Sequence, residues 1–358
     1  MKQTCICLLT IYLAACAGAA DDKSSDPEAI ASDFDQIGVS ALLPDIRARS
    51  CSEDGTFVEA SPILISSEPL PLGGDEATAL TGARFAGAWH LTSEEPNFGG
   101  LSGLAPLSGG NLLAVSDAGA FVWIDMEDGV PASSGHIGYM RGEDGSLLRG
   151  KRQSDSEGVT VVDGVALVSF ERDHRILGFA LEACGINAGG VLVTDITDTP
   201  DGLPQGFRSN QGAEALMVDK TDALIAGLET GRAGPSVSAV SALTKKGMRF
   251  DQRLARPNGP FLVGLEGEGD TMFGLFRSYA PAIGNLIEVR SYGGLEDDGR
   301  TRIRLSRPYT VDNFEGIATV LLENGRIRLY IISDDNFSAR QRTLLMAFDL
   351  DAVEPAAP

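Results

Sequence analysis

Histidine is almost missing from this chain. Three occur among 358 residues, His90, His136 and His174. None stands at metal-ligand or catalytic-triad spacing to another, so zinc sites built on His and Ser-His-Asp chemistry have no support. Aromatic residues are scarce at 6%. Cations are outnumbered, 29 Lys and Arg against 50 Asp and Glu, for a formal net charge of -21. A nucleic-acid partner is excluded on that ground, because it requires clustered cations to displace counterions. Neither a G-x-S-x-G elbow nor a Walker-type glycine loop occurs, which leaves α/β-hydrolase and P-loop readings without a basis.

Long apolar runs are also lacking. The N-terminal one, Cys5 to Ala15, is too short to span a bilayer. It follows Lys2 and ends in Leu13-Ala14-Ala15-Cys16, a pattern that resembles a bacterial lipobox. Residues 1–15 then read as a lipoprotein signal peptide and Cys16 as the lipidated first residue of the mature chain. Ala17 in place of Asp points to the outer membrane of the envelope. An ordinary secretory signal cut at a small residue is the alternative. The membrane would be engaged only through this lipid anchor.

Cysteines are few. Cys5 and Cys7 fall within the signal, which leaves Cys51 and Cys184 beside Cys16. In an exported chain the two are expected to form one disulfide, the alternative being two buried thiols. Residues 16–50 are small, polar and acidic and read as a tether. Residues 351–358 form a short tail.

Glycine, by contrast, is abundant at 43 residues. From about Phe57, short runs of Val, Ile and Leu alternate with Gly, Asp, Asn and Pro. These runs repeat. Units open at Gly100, Ser156, Gly212, Pro260 and Phe314, each with a strand, a polar turn, a second strand, a break and a third strand. A period of about 50 residues of short antiparallel strands is a propeller signature. The expected fold is all-β, a propeller over residues 51–350 with five clear units. A sixth blade is expected from strands at Phe57 to Leu91, closing the ring from the N-terminal end. A β-sandwich is the alternative.

Three units open on an acid followed by a small residue, Glu157-Gly158, Glu214-Ala215 and Glu315-Gly316, and another opens on Ser102-Gly103. First strands line the central channel of a propeller, so these openers converge at one mouth. Carboxylates aimed at one axis repel one another unless a hard cation joins them. Ca²⁺ held by Glu157, Glu214, Glu315 and Asp117 is therefore expected. The alternative is a ring hydrogen-bonded to backbone amides without metal. A second polar set follows the openers by 14 to 19 residues and includes Asp117, Glu171, Arg172, Glu229, Arg277 and Asp334. Arg172 and Arg277 are candidates to orient an anionic group, with a salt bridge to a ring carboxylate as the alternative for each. Glu171 and Asp334 are candidate bases.

The ordered motifs "FGGLSGL", "DSEGV", "LVSFER", "QGAEAL", "NFEGI" and "LYIISDDNF" resemble the phytase-like family, labelled esterase-like activity of phytase, over about Ala83 to Leu350. The resemblance implies a six-bladed propeller and calcium-assisted hydrolysis of a phosphomonoester. The D-A-x-D-D-P run of the propeller phytases is absent, and the mouth is mostly negative. A small anionic ester is therefore expected as substrate rather than phytate. A non-catalytic propeller that binds an envelope ligand or protein is the competing class.

Overall fold

The computed structural model describes residues 36–52, 55–196, 212–229, 236–250 and 252–351. Cys16, the signal and most of the expected tether lie outside them. Five antiparallel-rich sheets follow the five sequence units, and each is named here by its unit as a blade. The inner strands are Leu101–Pro106, Ser156–Val162, Ala213–Val218, Phe261–Glu268 and Phe314–Leu321. Each begins its sheet and packs beside the inner strands of both neighbouring blades, Phe314–Leu321 lying next to Leu101–Pro106. The second strands are Leu112–Ser116, Val165–Phe170, Leu224–Leu228, Thr271–Ala280 and Ile327–Ser333. Buried aliphatics and aromatics fill the space between sheets. Phe121 of blade 1 meets Phe179 of blade 2 edge-on, with ring centroids 5.2 Å apart.

The propeller is five-bladed, which corrects the expectation of six. The fifth unit supplies only three strands of its own, so Leu344–Leu350 would end as an open edge. Ala83–Thr92 pairs with it antiparallel, from His90 opposite Leu344 to Ala83 opposite Leu350. Ser66–Pro69 then pairs with Ala83–Thr92. Ser61–Leu64 joins blade 1 alongside Val130–Tyr139. The strands expected to build a sixth blade are thus used as outer strands of two existing ones.

The tether is shorter than its composition suggests. Val39–Ser50 is a helix despite Pro44. Val39, Leu43, Ile46 and Ser50 are buried at spacings of one helical turn and pack on blade 2. Ile46 lies against Gly178, where a Cβ would come within 2.7 Å of its Cδ1. Ser50 Oγ donates to Gly189 O at 2.8 Å and accepts from Ala180 N at 2.9 Å. The next residue, Cys51, is disulfide-bonded to Cys184 of blade 2, with Cα atoms 5.5 Å apart. Among the described residues no helix is long and apolar enough to cross a membrane.

Candidate functional site

In every inner strand the ladder slips by one residue at the opener, at Ser102, Glu157, Glu214, Val263 and Glu315. Such a bulge bends the strand and re-aims one side chain. The small residue that follows has a steric cause. A Cβ on Gly158 would stand 2.6 Å from Glu214 O, and one on Gly264 would stand 2.8 Å from Glu315 O. At Gly103 it would overlap Glu157 O. Blades 1, 2 and 4 are therefore each seated against the opener of the next. Ser102, Glu214 and Glu315 line an axial cavity. Beneath them lie Leu104, Val159, Leu216, Leu265 and Ile317, one per blade and none more than 4% exposed. The channel is a polar pit on an aliphatic floor.

A second ring surrounds it. Asp117, Glu171, Glu229, Arg277 and Asp334 each follow the second-strand residue that pairs just before the opener. The backbone N–H groups of Asp117, Glu171 and Asp334 donate to Gly100 O, Asp155 O and Asn313 O at 2.8–3.0 Å. Four of the five positions are acids. The exception, Arg277, comes from blade 4, whose opener is Val263 rather than an acid. Its Nη2 lies 3.2 Å from Glu229 Oε1 and 3.1 Å from Glu315 Oε1, and Nη1 donates to Asn313 Oδ1 at 2.7 Å. One Arg thus neutralises the ring across blades 3, 4 and 5.

Blades 1 and 2 are different. Asp155, Glu157 and Glu171 each offer a carboxylate oxygen within 4.8 Å of the others. Arg172, held at φ 62°, places Nε 2.5 Å from Asp155 Oδ2. Lys151 binds Asp117 and lies 3.3 Å from Asp155. Asp155 was not expected in the site, nor was Lys151 or Asn313. Asp155 and Asn313 each stand two residues before an opener, and alternate residues of an extended chain share a face. The signal was hidden because the other three units carry Gly100, Gly212 and Phe261 at that place.

Burial raises the carboxyl groups of this pit, and their mutual repulsion adds to it. Glu157 is pushed well up by desolvation, then by Glu315, Glu171, Asp155 and Asp334. Glu214 is also well up, through burial and the charges of Glu229, Glu157 and Glu315. Burial carries Glu315 to about 8, Glu171 to about 7 and Asp334 to about 6. Asp117 is raised by burial against the pull of Lys151. Glu157, Glu214 and Glu315 each keep some accessible surface, and Glu214 and Glu315 line the pit. Protein surrounds them on the remaining sides, which is what desolvates their charge.

The structure therefore brings Glu157, Glu214 and Glu315 to one channel, but not into one ligand set. Glu315 is engaged by Arg277 and Asn313, and Asp117 by Lys151. The acids at ligand spacing are Glu157 with Asp155 and with Glu171, a residue expected as a base. Arg172 and Arg277 both form salt bridges to site carboxylates, the second of the two readings open for them. Asp334 lies in the second ring with its Oδ1 accepting from Asn336 N at 2.6 Å.

The sequence model of the family described as "Phytase-like: Esterase-like activity of phytase" matches residues 96–275. No curated protein matches the chain. Among solved structures, the PQQ-bound aldose sugar dehydrogenase of Streptomyces coelicolor is 12% identical, with a TM-score of 0.41 over 80% of this chain and 98% of that one. An α-L-arabinofuranosidase of Clostridium thermocellum is 8% identical, with a TM-score of 0.40 over 64% and 81% of the two chains. Both are too distant to carry an activity across.

Proposed function

The chain belongs to the phytase-like family, and from that footing we propose that it is a metal-dependent hydrolase of a small phosphoester, anchored to the bacterial envelope by lipid. The observation that carries this reading is the convergence of Asp155, Glu157 and Glu171. The set offers only hard oxygen donors, and its central member is held far from its ordinary ionisation by burial and neighbouring carboxylates. That donor chemistry fits Ca²⁺. A divalent cation there supplies Lewis acidity toward a phosphoryl oxygen.

The chain's own groups do the rest. Arg172 commits Nε to Asp155, and no described residue takes its terminal amines, which leaves a fork for an anionic oxygen. Lys151 adds a cation on the blade 1 side. Asp334, brought to about 6, is ionised at neutral pH and can accept a proton there. Buried aliphatic side chains form the floor beneath the openers. Acids outnumber cations around the mouth, which disfavours a polyanion and favours a monoester.

Calorimetry of the purified domain with Ca²⁺ tests the metal claim. Uptake by the wild type and none by Glu157→Gln is the expected outcome. Phosphatase activity lost in chelator and restored by Ca²⁺ would support turnover. Metal uptake with no turnover on any monoester would leave a ligand-binding propeller, the competing class. The anchor rests on Leu13-Ala14-Ala15-Cys16 alone. Cys16→Ser should shift the protein from membranes to the soluble fraction, and a variant that stays on membranes would remove the lipoprotein reading.

A further inference from the structure

Phe337 is an aromatic side chain in a costly position. It stands at the pit's mouth, in the loop after the second strand of blade 5. Asn336 and Phe337 have φ of 50° and 48°, two consecutive non-glycine residues in the left-handed region. For a bulky residue that conformation is a genuine outlier and a strained one. Site carboxylates hold it. Asp334 Oδ1 accepts from Asn336 N at 2.6 Å, and Asp335 Oδ1 accepts from Phe337 N at 2.9 Å. Asp335 Oδ1 also accepts from Gly100 N at 2.9 Å, which ties the loop to the start of blade 1.

The strain does not bury the ring. Phe337 remains 46% exposed. What the arrangement achieves is placement. A Cβ on Gly99 would come 3.1 Å from Phe337 Cε1, so one side of the ring rests on backbone that only glycine leaves open. A Cβ on Gly100, where φ is 58°, would overlap both Phe337 Cε2 and Asp117 Oδ1. Ring and site carboxylate are thus immediate neighbours. Phe337 is not isolated there. Tyr139 pairs with Ala120 at the mouth end of blade 1, Phe261 pairs with Arg277, and Tyr279 follows Arg277 by two residues. These are 38%, 37% and 66% exposed. In a chain so poor in aromatics, four of the five exposed ones among the described residues stand on the side of the acidic pit.

We propose that Phe337 is a substrate-stacking residue, and that the substrate of the pit is an ester whose alcohol part carries a flat ring. The ring of the ester lies on the free face of Phe337 while its anionic group reaches the pit beside Asp117. Apolar and π-stacking contact at this place selects an aryl or similarly flat alcohol over a compact aliphatic one. The proposal rests on the phosphoester reading for the anionic group only.

The test is binding, not turnover. Phenylphosphonate and methylphosphonate, neither of which is hydrolysed as an ester, are titrated into the full-length domain with and without Ca²⁺. The wild type is expected to bind phenylphosphonate about tenfold more tightly, the worth of one aromatic contact. Phe337→Ala should abolish that ratio, Phe337→Trp should keep it, and neither should lower the melting temperature. Phe337→Leu, which keeps bulk without a ring, should lose most of the ratio and serves if the Ala variant folds poorly. A wild type that binds both ligands equally, or neither, overturns the proposal, as does a ratio that survives in Phe337→Ala. Dependence on Ca²⁺ reports separately on the metal reading. A phenyl preference that persists without Ca²⁺ would leave Phe337 standing and the metal falling.

Discussion

At the scale of single residues the site is a problem of like charge, and Arg277 is its largest local answer. Burial alone would lower its basicity, but Glu315, Glu214, Glu229 and Asp334 more than offset this. Removing it leaves Glu229 and Glu315 facing each other without a cation. Arg277→Met is expected to cost about 3–5 kcal/mol in urea unfolding at pH 8, the usual consequence of breaking a buried pair from one side. The loss should shrink at pH 5, where Glu315 takes up a proton. An equal loss at both pH values would show that packing, not charge, is what Arg277 provides. The openers around it were legible in the sequence because an acid followed by Gly or Ala recurs at the start of three strands. The pairing of Arg277 was not, since its partners Glu229 and Glu315 are 48 and 38 residues away and on different blades.

At the scale of elements the inner strand is the working unit. Its bulge aims the opener, and its glycine admits the neighbouring blade. Gly158→Ala is expected to destabilise by roughly 1–3 kcal/mol through overpacking against Glu214 O. Gly294→Ala, with nothing within 4 Å of the new methyl, should change stability by less than about 0.5 kcal/mol. Equal effects would detach the glycine from the blade seam. The helix Val39–Ser50 is the element that composition hid. Pro44 and the acidic stretch before it read as tether, and only burial on blade 2 makes the helix worthwhile. The Cys51–Cys184 bridge fastens its end across 133 residues. Reduction should lower unfolding stability by about 2–4 kcal/mol. A urea midpoint that ignores reductant would mean that the helix docks without the bridge.

At the scale of the whole molecule, excess negative charge and a buried acidic pit act in the same direction. Glu171, Asp334 and Glu315 are raised to about 7, 6 and 8. The folded protein therefore holds protons that the unfolded chain has already released. Stability from these groups is fullest below about pH 4 and is lost as pH rises to about 8. Self-repulsion from a net charge of -21 adds to the loss. In chelator the melting temperature should fall between pH 5 and pH 8, and Ca²⁺ should restore it most at the upper end by mass action. A melting temperature that climbs steadily over that range in chelator would contradict the picture of a strained acidic ring.

What the sequence by itself determined is periodic. Repeated strand, turn and strand runs specify blades, because side-chain alternation and glycine placement are local properties of the chain. The same repetition placed Glu157, Glu214 and Glu315 around one axis. What only the tertiary structure decided is pairing over distance. Five blades rather than six follows from which open edge Ala83–Thr92 meets, and nothing within that strand encodes the partner. The acids that stand close together are likewise Asp155, Glu157 and Glu171 rather than the three openers with Asp117, because one arginine at a position otherwise acidic neutralises the opposite side. Fivefold repetition is written along the chain. The asymmetry that makes a site arises only where distant blades bring unlike charges together.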